Sequence, residues 1–182
     1  ISGQWQEKTS EGKVIWGDAR KQLSLIPDAL NFDLILHDPF SPQKCPQLWS
    51  EEFLRSLTSR LSPNGRFITY SSSAAMRGSL RRAGLRIYST IPIDNKSKKW
   101  SIGTTAILPG IDSIEIEEFS NWRPLNQMEE EHLLTNASIP FRDPTGKGTS
   151  QEILNRRTEE QRKSNLPSTS SWRKRWKIKQ SG

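Results

Sequence analysis

The sequence predicts an α/β fold in which a mostly parallel sheet ends in an antiparallel hairpin. Short apolar segments of strand length alternate with segments whose apolar residues recur every three or four positions, which is typical of strands that alternate with helices. The last two predicted strands, 85–92 and 102–108, have no helix between them and are joined by a basic turn at 95–100, which indicates a hairpin.

Local signals define the first elements. A short strand over 13–18 ends in Gly-Asp, and a helix is predicted over 19–26. The next strand, 32–37, is almost continuously apolar, which is typical of a strand covered on both faces. Ser50 is a hydroxyl cap for a helix whose first turn is acidic, and the Pro-Asn-Gly run at 63–65 is predicted to stop that helix.

A third strand at 67–70 leads through a run of small residues into a helix that ends at Gly84. After the predicted hairpin, which ends at residue 108, the sequence patterns typical of strands and helices become weaker. We therefore divide the chain into a first domain over 1–110 and a C-terminal extension over 111–182 that is irregular and partly helical. Two helices are predicted in the extension, at 128–137 and 151–164.

The formal net charge of +7 is concentrated at the end of the chain. Residues 151–182 hold nine Lys or Arg and three Glu, which leaves a net charge of +1 for residues 1–150. Near the end, cations are interleaved with Trp172 and Trp176. This pattern favours contact with RNA, because Lys and Arg bind phosphate and Trp stacks on bases, whereas a solvated charged face is the alternative. We expect further cations to extend the same surface: Arg77, Arg81, Arg82, Lys96, Lys98 and Lys99.

Composition also bears on the class and compartment of the protein. No run of 18 apolar residues occurs, so no membrane span is predicted, and no charged-then-apolar leader is visible. The single cysteine, Cys45, excludes an internal disulfide and a multi-cysteine zinc site, and no metal site is predicted. We therefore expect a cytoplasmic protein.

The strand at 32–37 runs directly into an acidic residue, an aromatic residue and prolines. Asp38 is thereby predicted at the carboxyl end of the strand, the edge where open α/β sheets bind ligands. Pro39 and Pro42 keep the following backbone extended, and Phe40 lies beside the carboxylate. Such a rigid lip suits an amine or a flat base. A simple strand-to-loop exit is the alternative interpretation, since Asp-Pro is common in loops.

Three motifs occur in this order along the chain: Gly17-Asp18-Ala19, Asp33-x4-Asp38-Pro39-Phe40-Ser41-Pro42-x3-Pro46-x2-Trp49 and Arg77-x2-Leu80-x2-Ala83-Gly84. Together they resemble the methyltransferase domain of the bifunctional tRNA 5-methylaminomethyl-2-thiouridine biosynthesis proteins, the MnmC family, and its stand-alone relatives. The resemblance extends from residue 13 to about residue 108. Pro39 and Ser41 depart from the family pattern, where the bifunctional enzymes have Gly and Ala.

The resemblance implies a Rossmann-like class I fold that uses S-adenosylmethionine and methylates the 5-aminomethyl group of a tRNA wobble uridine. It makes Asp38 the catalytic candidate, facing the substrate amine. The candidate cofactor contacts are Gly17, Asp18, Ala19, His37 and Ser71. The candidate substrate contacts are Pro39, Phe40, Pro42, Trp49 and Arg77. The implied partners are tRNA and a separate or fused FAD-dependent oxidase, because the bifunctional relatives carry a flavin oxidase domain.

Four of these candidates also have a purely structural interpretation. Asp18 is placed to cap the following helix, and Trp49 has the size and setting of a core residue. His37 lies within an apolar strand, as a buried and satisfied histidine does. Ser71 belongs to a run of small residues that is equally typical of a turn before a helix.

Class I methyltransferases carry a Gly-rich loop after their first strand and a ribose-binding acid after the second. Only twelve residues precede Lys13, so we expect the sequence to represent the back half or two-thirds of such a domain, without the Gly-rich loop. Two alternatives stay open. One is an amino-methyltransferase acting on adenine or cytosine in nucleic acid, whose Asp-Pro-Pro-aromatic motif is similar but has a second Pro. The other is a non-catalytic RNA-binding or structural remnant.

Overall fold

The computed structural model describes residues 3–92, 101–110 and 121–178. Its strands are β1 (Gln4–Gln6), β2 (Glu11–Lys13), β3 (Phe32–His37), β4 (Leu61–Thr69), β5 (Arg86–Thr90), β6 (Gly103–Ile107) and β7 (Trp122–Pro124). Its helices are α1 (Ala19–Leu23), α2 (Glu51–Thr58), α3 (Ala74–Arg82), α4 (Gln127–Leu133), α5 (Ser150–Lys163) and α6 (Thr169–Arg175).

Five strands form one mixed sheet in the order β3-β4-β6-β5-β7. The pair β3 and β4 is parallel, and β6 lies antiparallel between β4 and β5, so that β3, β4 and β5 share one direction. The α/β fold and the antiparallel hairpin of β5 and β6 are therefore confirmed. The sheet is mixed and not mostly parallel, since β3 with β4 is the one parallel pair among the described strands. The basic turn predicted at 95–100 lies outside the described residues.

The first predicted strand and helix differ from the structure. β1 and β2 form a separate two-stranded hairpin, and β2 ends where the predicted strand over 13–18 begins. The apolar residues that follow it leave the ladder, and Trp16 is 75% exposed. The predicted helix over 19–26 is shorter: α1 ends at Leu23, whose side chain is buried, while Leu25 is exposed.

The strand β3 is buried on one face and exposed on the other. Ile35 and His37 face the core, whereas Leu34 and Leu36 are 51% and 69% exposed. The expectation that both faces of this strand are covered was wrong. Among the described residues β3 pairs with β4 alone, and the helices that pack on the sheet cover the face of Ile35.

Local signals at the ends of α2 and α3 agree better with the structure. The Ser50 hydroxyl accepts a hydrogen bond from the backbone N–H of Phe53, as a capping residue does. α2 ends at Thr58, however, and the Pro-Asn-Gly run lies within β4. A Cβ on Gly65 would lie 2.6 Å from the carbonyl oxygen of Phe32, so this close approach of two strands requires glycine. Gly84 adopts a φ of +93° and follows the end of α3, as predicted.

The described part of the extension packs on the same core as the first domain. Phe141 and Ile153 belong to one cluster with Trp49, Phe67 and Leu80, and β7 pairs with β5. The two predicted helices of the extension are present as α4 and α5, and α6 is an additional helix. The domain boundary at 110 stays a prediction. No helix in the described ranges is both long and apolar enough to cross a bilayer.

Candidate functional site

The carboxyl ends of β3 and β4 border an open cavity of about 550 Å³, here called the Asp38 cavity. It is lined by Asp38, Pro39, Phe40, Ser41, Cys45, Leu48 and Tyr70. Asp38 is exposed and follows β3 directly, and the ring of Phe40 is 77% exposed. Three predicted site residues are thus brought together at the predicted edge of the sheet. Pro42 and Trp49 do not line this cavity.

Two side chains fix the backbone of this lip. The indole N–H of Trp49 donates a hydrogen bond of 2.8 Å to the carbonyl oxygen of Phe40. The hydroxyl of Tyr70 donates one of 2.9 Å to the carbonyl oxygen of Pro39. Because Trp49 is only 1% exposed, it supports the lip from the core, and its position argues against direct contact with a substrate.

Tyr70 is a residue of the Asp38 cavity that the sequence patterns did not single out. It ends the strand predicted at 67–70, and its place at the carboxyl edge of β4 was the signal that could have found it. Its ring is half exposed and lies edge-on to Trp49 at 5.8 Å. The cavity therefore combines one carboxylate with the rings of Phe40 and Tyr70, an arrangement suited to a cationic amine or a flat base.

His37 lies in the core beneath the lip. Its ring contacts Trp49 edge-on at 4.7 Å and Phe67 at 5.3 Å, and only 5% of the residue is exposed. Nε2 donates to the carbonyl oxygen of Leu48 at 2.9 Å, and burial lowers the pKa of His37 to about 4. The ring is therefore neutral near pH 7. Its burial favours a place in the core over contact with a cofactor, but only Nε2 is satisfied, because Nδ1 has no hydrogen-bond partner among the described residues.

The Gly17-Asp18-Ala19 motif forms the start of α1. Gly17 has a φ of +125°, Asp18 is the N-cap, and Ala19 is the first helical residue. The Asp18 carboxylate accepts the backbone N–H of Arg20 at 3.0 Å and its guanidinium at 3.1 and 2.7 Å. These hydrogen bonds lower the pKa of Asp18. In this structure Asp18 therefore acts as a cap, and both of its carboxylate oxygens have partners.

Arg20 also connects this motif with the extension. Its guanidinium donates to the carboxylate of Asp143 at 2.6 Å and to the carbonyl oxygen of Gly148 at 2.9 Å. Asp143 is 1% exposed and further accepts the backbone N–H of Gly148. The extension thus holds the start of α1 through a partly buried ion pair.

Arg77 is buried in the interior of α3, where only 2% of the residue is exposed. It forms an ion pair of 3.2 Å with Glu129 of α4 and donates to the hydroxyl of Thr104 at 2.8 Å. This burial is incompatible with direct contact to a substrate or to RNA, so the assignment of Arg77 as a substrate contact is corrected. Ser71 is half-buried, and its carbonyl oxygen accepts the Thr104 hydroxyl at 2.7 Å.

The basic segment at 151–182, here called the tail, carries two tryptophans that are docked on α4. Trp172 is 9% exposed, stacks on His132 at 4.0 Å and donates from its indole N–H to the carbonyl oxygen of Met128 at 2.9 Å. Trp176 donates to Glu131 at 2.8 Å. The expectation that these tryptophans stack on RNA bases is therefore wrong for Trp172, because its ring is packed within the protein.

Most cations of the tail remain exposed. Arg173, Lys174 and Lys177 are exposed, and Arg175 forms a 3.1 Å ion pair with Glu131. Arg81 and Arg82, which were expected to extend this surface, form ion pairs with Glu130 and Glu51. The lysines at 96, 98, 99 and 179 lie outside the described residues.

Comparisons with known proteins agree with the fold. Residues 4–102 match a family described as S-adenosyl-L-methionine-dependent methyltransferase. An uncharacterized protein of Methanocaldococcus jannaschii is 31% identical over 150 residues, which cover 81% of this chain and 38% of that protein. The crystal structure of MnmC2 from Aquifex aeolicus is similar with a TM-score of 0.74 and 28% identity, over 88% of this chain and 48% of that chain. The chain thus spans less than half the length of these two proteins.

Proposed function

Because the chain belongs to the S-adenosyl-L-methionine-dependent methyltransferase family, we propose that it forms the substrate side of an N-methyltransferase acting on the 5-aminomethyl group of a tRNA wobble uridine. The observation that carries this proposal is the Asp38 cavity, in which an exposed carboxylate lies beside two aromatic rings. The nucleobase and the amine of such a substrate match these two kinds of group.

Asp38 supplies the acid–base function in this proposal. An alkylammonium has a pKa near that of lysine, about 10.4, and must lose a proton before its nitrogen attacks a sulfonium methyl group. The Asp38 carboxylate binds the ammonium, orients it and accepts the proton whose loss frees the nitrogen lone pair. The neutral nitrogen then takes the methyl group as the sulfonium S–C bond breaks. Because hydrogen bonds from Trp49 and Tyr70 hold the lip, the carboxylate is pre-positioned for this contact.

The aromatic rings supply the base contacts. Bases of splayed RNA are commonly held by stacking on aromatic side chains. Phe40 is free to stack, since most of its ring is exposed, and Tyr70 presents half of its surface to the same cavity. Tyr70 is fixed by its hydrogen bond to Pro39, so we assign to Tyr70 the role of orienting the base. We assign to Phe40 the role of stacking face-on against the base.

S-adenosylmethionine is the methyl donor of the family. Three of the residues assigned to it have partners or surroundings within the protein. The Asp18 carboxylate is bonded to Arg20, His37 is in the core, and the Ser71 carbonyl is bonded to Thr104. No step of the reaction is therefore assigned to these groups. The second candidate function is a non-catalytic module that binds RNA, and the exposed cations Arg173, Lys174 and Lys177 support it.

Contact with tRNA phosphates is assigned to the exposed cations of the tail. Trp172 anchors α6 on α4, and this fixes the helix that carries Arg173 and Lys174. Lys and Arg held at fixed positions bind phosphates and release counterions. Here the tryptophans contribute by holding the helix, and the cations contribute the RNA contact.

The test compares wild type with Asp38→Asn, using labelled S-adenosylmethionine and hypomodified tRNA. We expect methyl incorporation to fall by a factor on the order of 100 or more, because the variant keeps the shape of Asp38 and removes its basicity. Asp33→Asn is the matched control, since Asp33 lies on the same strand and accepts a hydrogen bond from Ser62. Equal incorporation by wild type and Asp38→Asn would remove the catalytic role of Asp38.

The labelled nucleoside separates the candidate functions. Methylated 5-aminomethyluridine supports the proposal, and methylated adenine or cytosine identifies the other amino-methyltransferase. Binding of tRNA without S-adenosylmethionine binding or methyl transfer identifies the non-catalytic module.

A further inference from the structure

A buried polar chain leads from the extension to the loop that follows β4. The guanidinium of Arg77 donates from Nε to the hydroxyl of Thr104 at 2.8 Å, and that hydroxyl donates to the carbonyl oxygen of Ser71 at 2.7 Å. Arg77 is 2% exposed and Thr104 is fully buried. Ser71 follows Tyr70 directly, so the chain ends beside a residue that lines the Asp38 cavity.

The direction of these hydrogen bonds is fixed. A hydroxyl has one hydrogen, and an arginine N–H can only donate. Since Thr104 accepts from Arg77, its own hydrogen is available for the Ser71 carbonyl. The donor is charged and the surroundings exclude water, so both bonds are strengthened relative to neutral, solvated ones.

Arg77 is itself held from several sides. Its Nη2 donates to the hydroxyls of Ser89 and Ser101 and to the carbonyl oxygen of Gly103, at 3.2, 2.9 and 3.1 Å. Its Nη1 pairs with Glu129, which lies in α4 beyond the residues that match the methyltransferase family. The extension therefore contributes one of the partners that hold the guanidinium, the carboxylate of Glu129.

We propose that Thr104 is a positioning residue for the Asp38 cavity: it holds the Ser71 carbonyl and so sets the orientation of Tyr70, with Arg77 and Glu129 fixing Thr104. Tyr70 is then restrained at two points, at the backbone by the neighbouring Ser71 and at the side chain by the Pro39 carbonyl. This proposal rests on one part of the proposed function, namely that the Asp38 cavity binds a substrate.

The decisive comparison is between two neighbouring threonines of β6. Thr104→Val removes the hydroxyl that bonds to Ser71. Thr105→Val removes an equally buried hydroxyl, which lies 3.2 Å from that of Thr90 on β5. Each variant keeps the β-branched shape. Thr104→Val loses two hydrogen bonds, one of them from the charged Arg77, and Thr105→Val loses one, so Thr104→Val is expected to lose more thermal stability.

Cys45 provides a readout of the cavity that a merely structural role would not change. It is the one cysteine of the chain, is half-buried and lines the cavity together with Tyr70. We expect Thr104→Val to raise the rate of Cys45 alkylation by iodoacetamide severalfold under native conditions, because Tyr70 leaves its position. Thr105→Val leaves the rate at the wild-type value, and Thr104→Ser restores it.

Tyr70→Phe, which loses the bond to Pro39, raises the rate as well, and adding Thr104→Val to it gives little further increase. Equal alkylation rates for Thr104→Val and Thr105→Val overturn the proposal. If Thr104→Val does not fold, Ser101→Ala replaces it, because this variant removes one hydrogen bond to Arg77. A smaller increase in the rate of Cys45 alkylation is then expected, and an unchanged rate overturns the proposal. The assay needs no tRNA, so a failure of the methylation test leaves its result intact.

Discussion

Glu129 is the side chain whose removal tests the buried network most directly. Its carboxylate accepts hydrogen bonds from Arg77, Ser89 and Arg123 and from the backbone N–H of Asn126. Burial alone raises the pKa of this carboxyl group, but the hydrogen bonds from Arg123 and Ser89 and the other partners lower it to about 2. The substitution Glu129→Gln keeps the volume and removes the charge.

The size of the effect follows from the pKa. The pKa of Glu129 falls from 4.5 to about 2, and one pKa unit corresponds to about 1.4 kcal/mol, so the ionised group contributes on the order of 3 kcal/mol at pH 7. A lowered carboxyl pKa stabilises the fold above the unfolded-state value, and this stabilisation is lost as the pH falls from about 5 to about 2. About 1.4 kcal/mol of it remains at pH 3.

The measurement is the free energy of unfolding from urea titrations at pH 7 and pH 3. We expect Glu129→Gln to be less stable than wild type by about 3 kcal/mol at pH 7, and this difference shrinks at pH 3. The neighbouring Glu130→Gln is the matched control. Glu130 is 45% exposed in its pair with Arg81, so its loss costs less than about 1 kcal/mol.

Two results would refute the reasoning. One is a deficit for Glu129→Gln that is the same at pH 3 as at pH 7. The other is a deficit at pH 7 no larger than that of Glu130→Gln. His37 and His132, whose pKa values burial lowers to about 4, also make the wild type less stable in acid. Both variants retain these histidines, so their contribution cancels in the difference from wild type.

Two further predictions concern the tail. Trp172→Ala removes the ring that stacks on His132, and we expect α6 to undock at a cost of about 3 kcal/mol, visible as faster amide hydrogen exchange over α6; unchanged exchange would contradict the docking. Trp172→Phe keeps the stacked ring, loses the bond to Met128 and should cost about 1 kcal/mol. The double variant Arg173→Ala and Lys174→Ala should weaken tRNA binding and lower the slope of log K against log salt by about 1 to 2, and an unchanged slope would remove these cations from the RNA contact.

Three signals confined to a few neighbouring residues were read correctly from the sequence, although the Pro-Asn-Gly run at 63–65 was not. The Ser50 cap, the glycine after α3 and the acidic residue after β3 all lie where predicted. Caps and turns depend on hydrogen bonds and backbone angles within about four residues. The residues that determine them are therefore neighbours in the sequence. The position of the catalytic candidate Asp38 could be predicted for the same reason, because Asp38 directly follows a strand.

The partners of arginine and tryptophan were decided by residues far away in the chain. Arg77 was expected at a substrate and is buried against Glu129, 52 positions later. Trp172 was expected at RNA and is packed against Met128, 44 positions earlier. The residue type is compatible with either setting, because an arginine binds phosphate or a buried carboxylate with the same guanidinium.

The two faces of β3 also could not be told apart from the sequence. Leu34 and Ile35 are equally apolar in the sequence, yet Leu34 is exposed and Ile35 is buried. Alternation along the strand sends neighbours to opposite faces, and which face is covered depends on the helices that pack there. Local chemistry thus determined the strand and its acidic end, whereas burial, which requires contacts between distant segments, was settled by the packing of the whole chain.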